Sequence, residues 1–79
     1  MTSNSHNVAL GRAVATLREA NALDIETLAG TSEIAVRELE EIENGEVEAR
    51  WGELRRISYG LKVPLSQLIA LGEKFEDRA

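Results

Sequence analysis

Apolar residues recur along the chain at the three- and four-residue spacing of an α-helix. Leu10, Val14 and Leu17 stand at positions i, i+4 and i+7 within residues 8–20, and alanines widen the stripe that they form. Similar spacing returns further along, so the chain divides into five helical segments with short joints and no internal repeat. The core positions predicted for the later segments are Leu28, Ala29, Ala35, Leu39, Ile42, Trp51, Leu54, Ile57, Leu61, Leu65, Leu68 and Ile69.

Capping and turn residues predict where the second and third helices begin and end. Asp24 is a good N-cap for the second helix, because its carboxylate accepts hydrogen bonds from backbone N–H groups of the first turn. Gly30 is expected to end that helix, since glycine tolerates the left-handed cap conformation. Ser32 has the better side chain to cap the third helix, and the Asn44-Gly45 pair is a strong stop signal for it.

The last two helices are predicted from a proline and two glycines. The fourth helix is expected at about residues 50–61, with Gly60 weakening its last turn. Pro64 predicts the first position of the fifth helix, where its missing N–H group costs little. Gly72 predicts the frayed end of that helix.

Length and composition predict one small domain. A chain of 79 residues has room for a single core, and the scarcity of aromatic residues, 4%, makes that core aliphatic. We expect a disordered leader at residues 1–7, the helical domain at residues 8–72 and a charged tail at residues 73–79. The chain has no cysteine, no apolar run of about 18 residues and no apolar signal segment. These features favour a cytoplasmic protein without a membrane partner.

In its order of segments the sequence resembles the helix-turn-helix family of the Cro and lambda-type phage repressors (XRE-like regulators). The resemblance covers roughly residues 10–71, and the distance from Ala29 to Gly45 is the family's spacing. It implies an all-α, compact five-helix bundle whose second and third helices form the helix-turn-helix. It also places the start of the third helix at Ala35 rather than Ser32. The matching residues are Leu10-Gly11-Arg12, Leu17-Arg18-Glu19, Leu23-Asp24, Leu28-Ala29, Ile42-Glu43-Asn44-Gly45, Leu54, Ile57, Leu61, Val63, Leu65 and Leu68-Ile69.

The resemblance implies a sequence-specific DNA-binding transcriptional regulator, acting as a dimer, with its third helix in the major groove of double-stranded DNA. The family's base-reading positions correspond to Val36, Arg37, Glu38 and Glu41. Arg37 is the one conventional base reader among them, because a bidentate contact to guanine gives ~1–3 kcal/mol of discrimination. Glu38 and Glu41 can accept hydrogen bonds only from cytosine amines.

Four residues are candidates to contact DNA phosphates: Asn44, the amide of Gly45, Arg50 and Arg55. For the arginines a solvated helix face is an equally open interpretation. The N-terminus of the second helix also offers backbone N–H groups to a phosphate. The family commonly pairs an arginine of its first helix with a glutamate at the end of its third. The resemblance therefore implies an ion pair between Arg18 and Glu43.

The negative charge of the predicted DNA-binding surface argues against DNA binding. The net charge is −5, and residues 33–48 hold seven glutamates against Arg37 alone. Ile25 replaces the family's phosphate-contacting glutamine, and Glu33 replaces its turn glycine. A second hypothesis is therefore a protein-interaction module that does not bind DNA and whose acidic third helix binds a basic partner. A third hypothesis is that the protein comes from a halophilic or otherwise acid-biased proteome. Its acids then reflect solvation, and it binds DNA at high salt.

Tyr59, Leu71 and Phe75 are candidates for a homodimer seam, because related domains often pair through their last helix. Packing within one chain is the alternative for these residues. No enzyme is expected: His6 is the only histidine, and no residue is placed to activate Ser58 or Ser66 as a nucleophile. We expect no metal and no cofactor.

Overall fold

The computed structural model describes residues 5–77 of the chain. Within these residues it has five α-helices and no strand, as the spacing of apolar residues predicts. The helices are α1 (Ser5–Ala20), α2 (Ile25–Ser32), α3 (Val36–Glu43), α4 (Trp51–Leu61) and α5 (Leu65–Asp77).

The second helix begins as predicted and ends later than predicted. The Asp24 carboxylate accepts a hydrogen bond of 2.8 Å from the backbone N–H of Thr27, so it caps α2. The helix continues through Gly30, which the sequence placed at its end, because Glu33 rather than glycine takes the left-handed conformation (φ 58°, ψ 44°). Glu33 donates its backbone N–H to the carbonyls of Ala29 and Gly30.

The third helix begins at the position that the family resemblance favours. Ala35 is its extended N-cap, and Ser32 is instead the last residue of α2. Ala35 is exposed, which corrects its prediction as a core residue, since the N-cap precedes the first turn that packs inward. Leu39 and Ile42 of the same helix are buried as predicted.

The first and last helices are longer than the sequence pattern indicated. α1 already begins at Ser5, and α5 runs through Gly72 to Asp77. The extra turns lie against each other, and His6 forms an ion pair with Glu76. The remaining parts of the expected leader and tail, residues 1–4 and 78–79, lie outside the described residues. Pro64 precedes α5, and its carbonyl accepts a 2.9 Å hydrogen bond from the N–H of Gln67.

The core lies where α1 packs along α5 and against α3 while α2 packs against α4. The largest fully buried side chains are Leu28, Leu39, Ile42, Ile57, Leu61, Leu68 and Val14. α1 approaches α3 closely at Gly11, where a Cβ atom would lie 2.1 Å from the Ile42 carbonyl oxygen. Any side chain there would collide with the end of α3, so this glycine sets the distance between the two helices.

Trp51 departs most clearly from the predicted core. It is 66% exposed, because it lies in line with the exposed Arg55 and Tyr59 of α4 rather than with the buried Leu54 and Ile57. An aromatic residue at the first position of a helix also has no preceding turn to cover. The fourth helix therefore carries its largest side chain on the surface.

Candidate nucleic-acid interface

The third helix presents its polar side to solvent. Arg37 has a side chain that is 90% exposed, whereas Val36 is half-buried and packs against the core. Of the four predicted base-reading residues, Val36 is the one that packs against the hydrophobic core. The nearest contact of Arg37 is Glu41 on the next turn, with Nε 3.9 Å from the carboxylate oxygen. At that distance in solvent the ion pair is weak, so Arg37 is free to reorient.

Arg37, Glu38 and Glu41 lie around one depression of about 450 Å³ together with Arg50. The remaining lining residues are Ala35, Val47, Glu48 and Glu53. Four carboxylates thus face two arginines in this depression. The geometry brings together three of the four predicted base-reading residues and one of the predicted phosphate contacts.

Glu38 and Glu53 both line this depression. Hydrogen bonding between their carboxyl groups when one of them is protonated raises the pKa of Glu38 above its ordinary value and lowers that of Glu53. Glu53 also accepts a 2.8 Å hydrogen bond from the backbone N–H of Arg50, which further lowers its pKa. Glu53 thus caps the start of α4, and sequence analysis predicted neither this cap nor the proximity of Glu53 to Glu38.

The loop after α3 has fewer free backbone donors than the sequence suggests. The N–H of Gly45 donates to the Ile42 carbonyl at 3.1 Å, and the N–H of Asn44 donates to the Glu40 carbonyl at 3.0 Å. Gly45 is buried with φ 74°, and a Cβ atom there would lie 2.7 Å from Cα of Val8. This geometry removes the Gly45 amide from the phosphate candidates and leaves the exposed side chain of Asn44.

The N-terminus of α2 is partly occupied by the protein's own carboxylate. Asp24 binds the Thr27 N–H there, and this hydrogen bond lowers the pKa of the aspartate. The side chain therefore stays negatively charged beside the groups that a phosphate would use. Ile25 follows it, and its aliphatic side chain has no polar group with which to bind a phosphate.

Arg55, the remaining phosphate candidate, lines a different depression. Its neighbours there are Thr31, Glu33, Arg56 and Tyr59. Arg56 donates from Nε to the Ser32 carbonyl at 2.9 Å and so joins α4 to the end of α2. Arg55 itself is exposed beside the turn between α2 and α3.

Arg18 and Glu43 lie together beneath the end of α3. Arg18 donates two hydrogen bonds to the Glu43 carboxylate, Nε to Oε2 at 2.7 Å and Nη2 to Oε1 at 3.0 Å. A third, from Nη1, reaches the Leu23 carbonyl at 2.9 Å. These bonds raise the pKa of Arg18 and connect α1 to both the α1–α2 joint and the end of the third helix.

The three dimer candidates do not line a common depression. Tyr59 is 78% exposed beside α2, whereas Leu71 lines a depression of about 260 Å³ with Leu17 and Ala70 of the α1–α5 side. Phe75 is half-buried, and the guanidinium of Arg12 lies 4.5 Å from its ring centroid. Phe75 therefore packs partly against Arg12 of its own chain.

A stripe of four exposed residues on α4 was missed as a unit at the sequence level. Trp51, Arg55, Tyr59 and Lys62 stand at i, i+4, i+8 and i+11, a spacing that was visible in the sequence. The prediction that Trp51 is buried concealed it. Within residues 5–77 no group of three or more histidine, aspartate or glutamate side chains is placed to hold a metal ion. No helix in that part of the chain is long and apolar enough to cross a membrane.

Solved structures share this arrangement of helices. The clp gene regulator ClgR from Corynebacterium glutamicum superposes with a TM-score of 0.84 at 22% identity, over 87% of this chain and 90% of ClgR. A second ClgR structure gives a TM-score of 0.89 at 20% identity, over 92% of this chain and 78% of that one. The restriction-modification controller protein C.AhdI from Aeromonas hydrophila gives a TM-score of 0.76 at 24% identity, over 77% of this chain and 92% of C.AhdI.

The chain therefore has the helix-turn-helix fold of the Cro and XRE-like type, with α2 and α3 as the helix-turn-helix. No protein-family model matches its sequence, and no curated protein matches it with statistical significance.

Proposed function

We propose that this protein is a sequence-specific DNA-binding transcriptional regulator that inserts α3 into the major groove of double-stranded DNA. The observation that carries the proposal is the exposed polar side of α3 at the position of the recognition helix in this fold. Arg37 supplies the main base contact, to guanine. The fold is shared with a protein described as a clp gene regulator and another described as a restriction-modification controller, which supports a regulatory role.

The charges of the depression make binding to random DNA weak. Glu38, Glu41, Glu48 and Glu53 surround Arg37 and Arg50, so a phosphate meets a net negative surface. Discrimination between sequences therefore comes from the contact of Arg37 with guanine. The glutamates add to it by repelling any phosphate that lies too close to them. A single protomer with so few basic contacts needs a second copy on the same duplex to bind well.

Accordingly, the proposed active form is a homodimer that binds two half-sites about one helical turn apart. The α1–α5 side is the surface that we assign to dimer contact, because Leu17, Ala70 and Leu71 line an apolar depression there. Leu71→Glu should shift the protein to monomers in sedimentation experiments while leaving its helical content intact. A dimer that persists in Leu71→Glu contradicts this assignment.

The test of DNA binding is a selection from random duplexes across a series of salt concentrations. We expect enrichment of a site with guanine at one position per half-site, and weakening of binding as salt rises. Arg50 and Arg55 are the proposed phosphate contacts, so about two counterions are released per protomer and the log–log slope is roughly −2 per copy bound. Arg37→Ala should abolish the enrichment of guanine, whereas Lys62→Ala, which removes a positive charge outside the depression on α3, should not. Failure to retain any duplex at low salt contradicts the proposal.

The acidic surface supports a second candidate function, a protein-interaction module whose third helix binds a basic partner. Four carboxylates line the depression, and the neighbouring Glu53 raises the pKa of Glu38. A basic partner relieves that crowding of negative charge. The double variant Glu38→Gln/Glu41→Gln separates the two functions: it should lose a basic partner in this second case, and should gain DNA affinity if the protein is a DNA-binding regulator.

A further inference from the structure

The outer side of α4 carries an exposed stripe of alternating aromatic and basic side chains. Trp51, Arg55 and Tyr59 share one side of α4 because their spacing is close to whole turns, and Lys62 follows as the left-handed residue that ends the helix. Trp51 is 66% exposed and Tyr59 78%, so neither contributes to the core. Tryptophan, tyrosine and arginine are the residue types enriched at the centres of protein interfaces.

Tyr59 stands between two depressions of different chemistry. The larger, of about 640 Å³, has Leu23 and Val63 in its walls with the threonines of α2. The smaller, of about 430 Å³, contains Arg55 and Arg56. A bound segment can therefore place an apolar side chain on one side of the tyrosine ring and a charged one on the other.

The electrostatic sign of this surface is opposite to that of the chain. The protein carries a net charge of −5, yet residues 55–62 contain Arg55, Arg56 and Lys62 and no acidic residue. Arg56 is already bonded to the Ser32 carbonyl, so Arg55 and Lys62 are the cations left to bind a ligand. Glu33 is the one acid in the lining of the smaller depression. The surface is complementary to carboxylates.

We propose that this surface docks a short acidic segment of a partner protein. One large apolar side chain of the segment lies in the depression formed by Leu23 and Val63, against the ring of Tyr59. Carboxylates that flank it pair with Arg55 and Lys62. The surface is small, so the complex belongs to the weak, salt-sensitive class of interfaces.

Two other occupants fit the surface less well. A nucleic-acid strand needs a continuous cationic groove, whereas the larger depression is walled by aliphatic and threonine side chains. A second copy of this chain has an exposed apolar residue between acids, Val47 beside Glu46 and Glu48. Docking that loop joins copies head to tail, which forms rings or open chains rather than the two-fold dimer proposed above.

The test is a selection of short random peptides displayed against the full-length protein. The expected consensus is a large apolar residue with aspartate or glutamate on both sides. Tyr59→Ala and Lys62→Glu should each weaken the selected peptide about tenfold or more. Arg12→Glu is the matched charge reversal at an exposed site on α1, outside both depressions, and should leave the affinity unchanged. Amide NMR signals should shift at Leu23, Thr27, Tyr59 and Val63.

Enrichment of basic peptides, or no enrichment, overturns the proposal, as do NMR shifts confined to α3. If the wild-type protein self-associates and Tyr59→Ala abolishes this self-association, the surface binds a second copy of the chain. That result overturns the proposal of an acidic partner segment. The two proposals share Arg55, but the residues tested here, Tyr59 and Lys62, lie outside the depression on α3. Both variants should keep the DNA selectivity of the wild type, so failure of one proposal is distinguishable from failure of the other.

Discussion

Arg18 and Glu43 form a bidentate ion pair that ties the first helix to the end of the third. Their side chains are only 15% and 9% exposed, and the two hydrogen bonds measure 2.7 and 3.0 Å. The third hydrogen bond of Arg18, to the Leu23 carbonyl, adds the α1–α2 joint to the same cluster. The pair therefore fixes how the candidate recognition helix lies on the rest of the bundle.

Removing one partner of this pair should cost more than removing both. Glu43→Ala leaves the Arg18 guanidinium largely buried without its carboxylate, and we expect a loss of about 3 kcal/mol in the free energy of unfolding. The double variant Arg18→Met/Glu43→Leu should be less destabilised, because no charge remains buried. Urea denaturation of the wild type and the single and double variants measures this coupling. Additive losses in the double variant would mean that the two residues act independently.

Two glycines should respond to alanine in opposite directions. A Cβ atom at Gly11 would lie 2.1 Å from the Ile42 carbonyl oxygen, so Gly11→Ala must push α1 away from α3 and destabilise the fold strongly, by several kcal/mol. Gly30 has no heavy atom within 4 Å of such a Cβ and lies inside α2. Gly30→Ala should therefore stabilise by about 1 kcal/mol. Thermal melting of both variants decides the matter, and a stabilised Gly11→Ala would contradict the close approach of the helices.

The helices were predictable because their apolar spacing and caps are local. The side chain of Asp24 and the left-handed Gly45 act within a turn or two of the chain, so the sequence reveals them. The end of α2 was not predictable in this way. Glu33 accepts the left-handed conformation because the packing of α2 and α3 fixes the turn, which overrides its intrinsic preference.

The candidate site likewise has features that local sequence predicts and features that depend on tertiary contacts. Which residues of α3 face solvent follows from helical spacing, and Arg37, Glu38 and Glu41 indeed share one depression. The interaction between Glu38 and Glu53 joins two helices and depends on tertiary distance, so no local pattern indicates it. The prediction that Trp51 is buried was wrong. The hydrophobicity of a residue alone does not say whether its side of α4 faces the core.

Strain at Glu33 gives a third prediction. A non-glycine residue at φ 58° pays roughly 1–2 kcal/mol for the close approach of its Cβ to the backbone. Glu33→Gly removes that cost, but it also raises the conformational entropy of the unfolded chain, which opposes folding. We therefore expect a net stabilisation of about 0.5 kcal/mol. Glu40→Gly is the matched control, because Glu40 is exposed within α3 and should lose about 1 kcal/mol. Chemical denaturation that shows the same sign for both variants would contradict the strain.

The raised pKa of Glu38 predicts that DNA binding strengthens as the pH falls. The pKa of Glu38 is raised, so this group takes up its proton at higher pH than an isolated glutamate, while Glu53 stays ionised. The contribution of Glu38 to stability is accordingly present below its ordinary pKa and is lost as the pH rises through the raised value. Protonation also removes one negative charge from a depression that faces phosphates.

A variant without the titrating carboxyl should bind DNA without this pH dependence. Glu38→Gln is neutral at every pH, and removing one charge about 4 Å from a phosphate should strengthen binding at pH 7 about fivefold. Glu41, Glu48 and Glu53 are the other acids of the depression, and Glu41→Gln should strengthen binding while keeping the pH dependence of the wild type. Fluorescence anisotropy with the selected duplex, measured at constant ionic strength through the acidic range, checks both variants. A Glu38→Gln protein whose affinity still rises as the pH falls would place the responsible proton on another group.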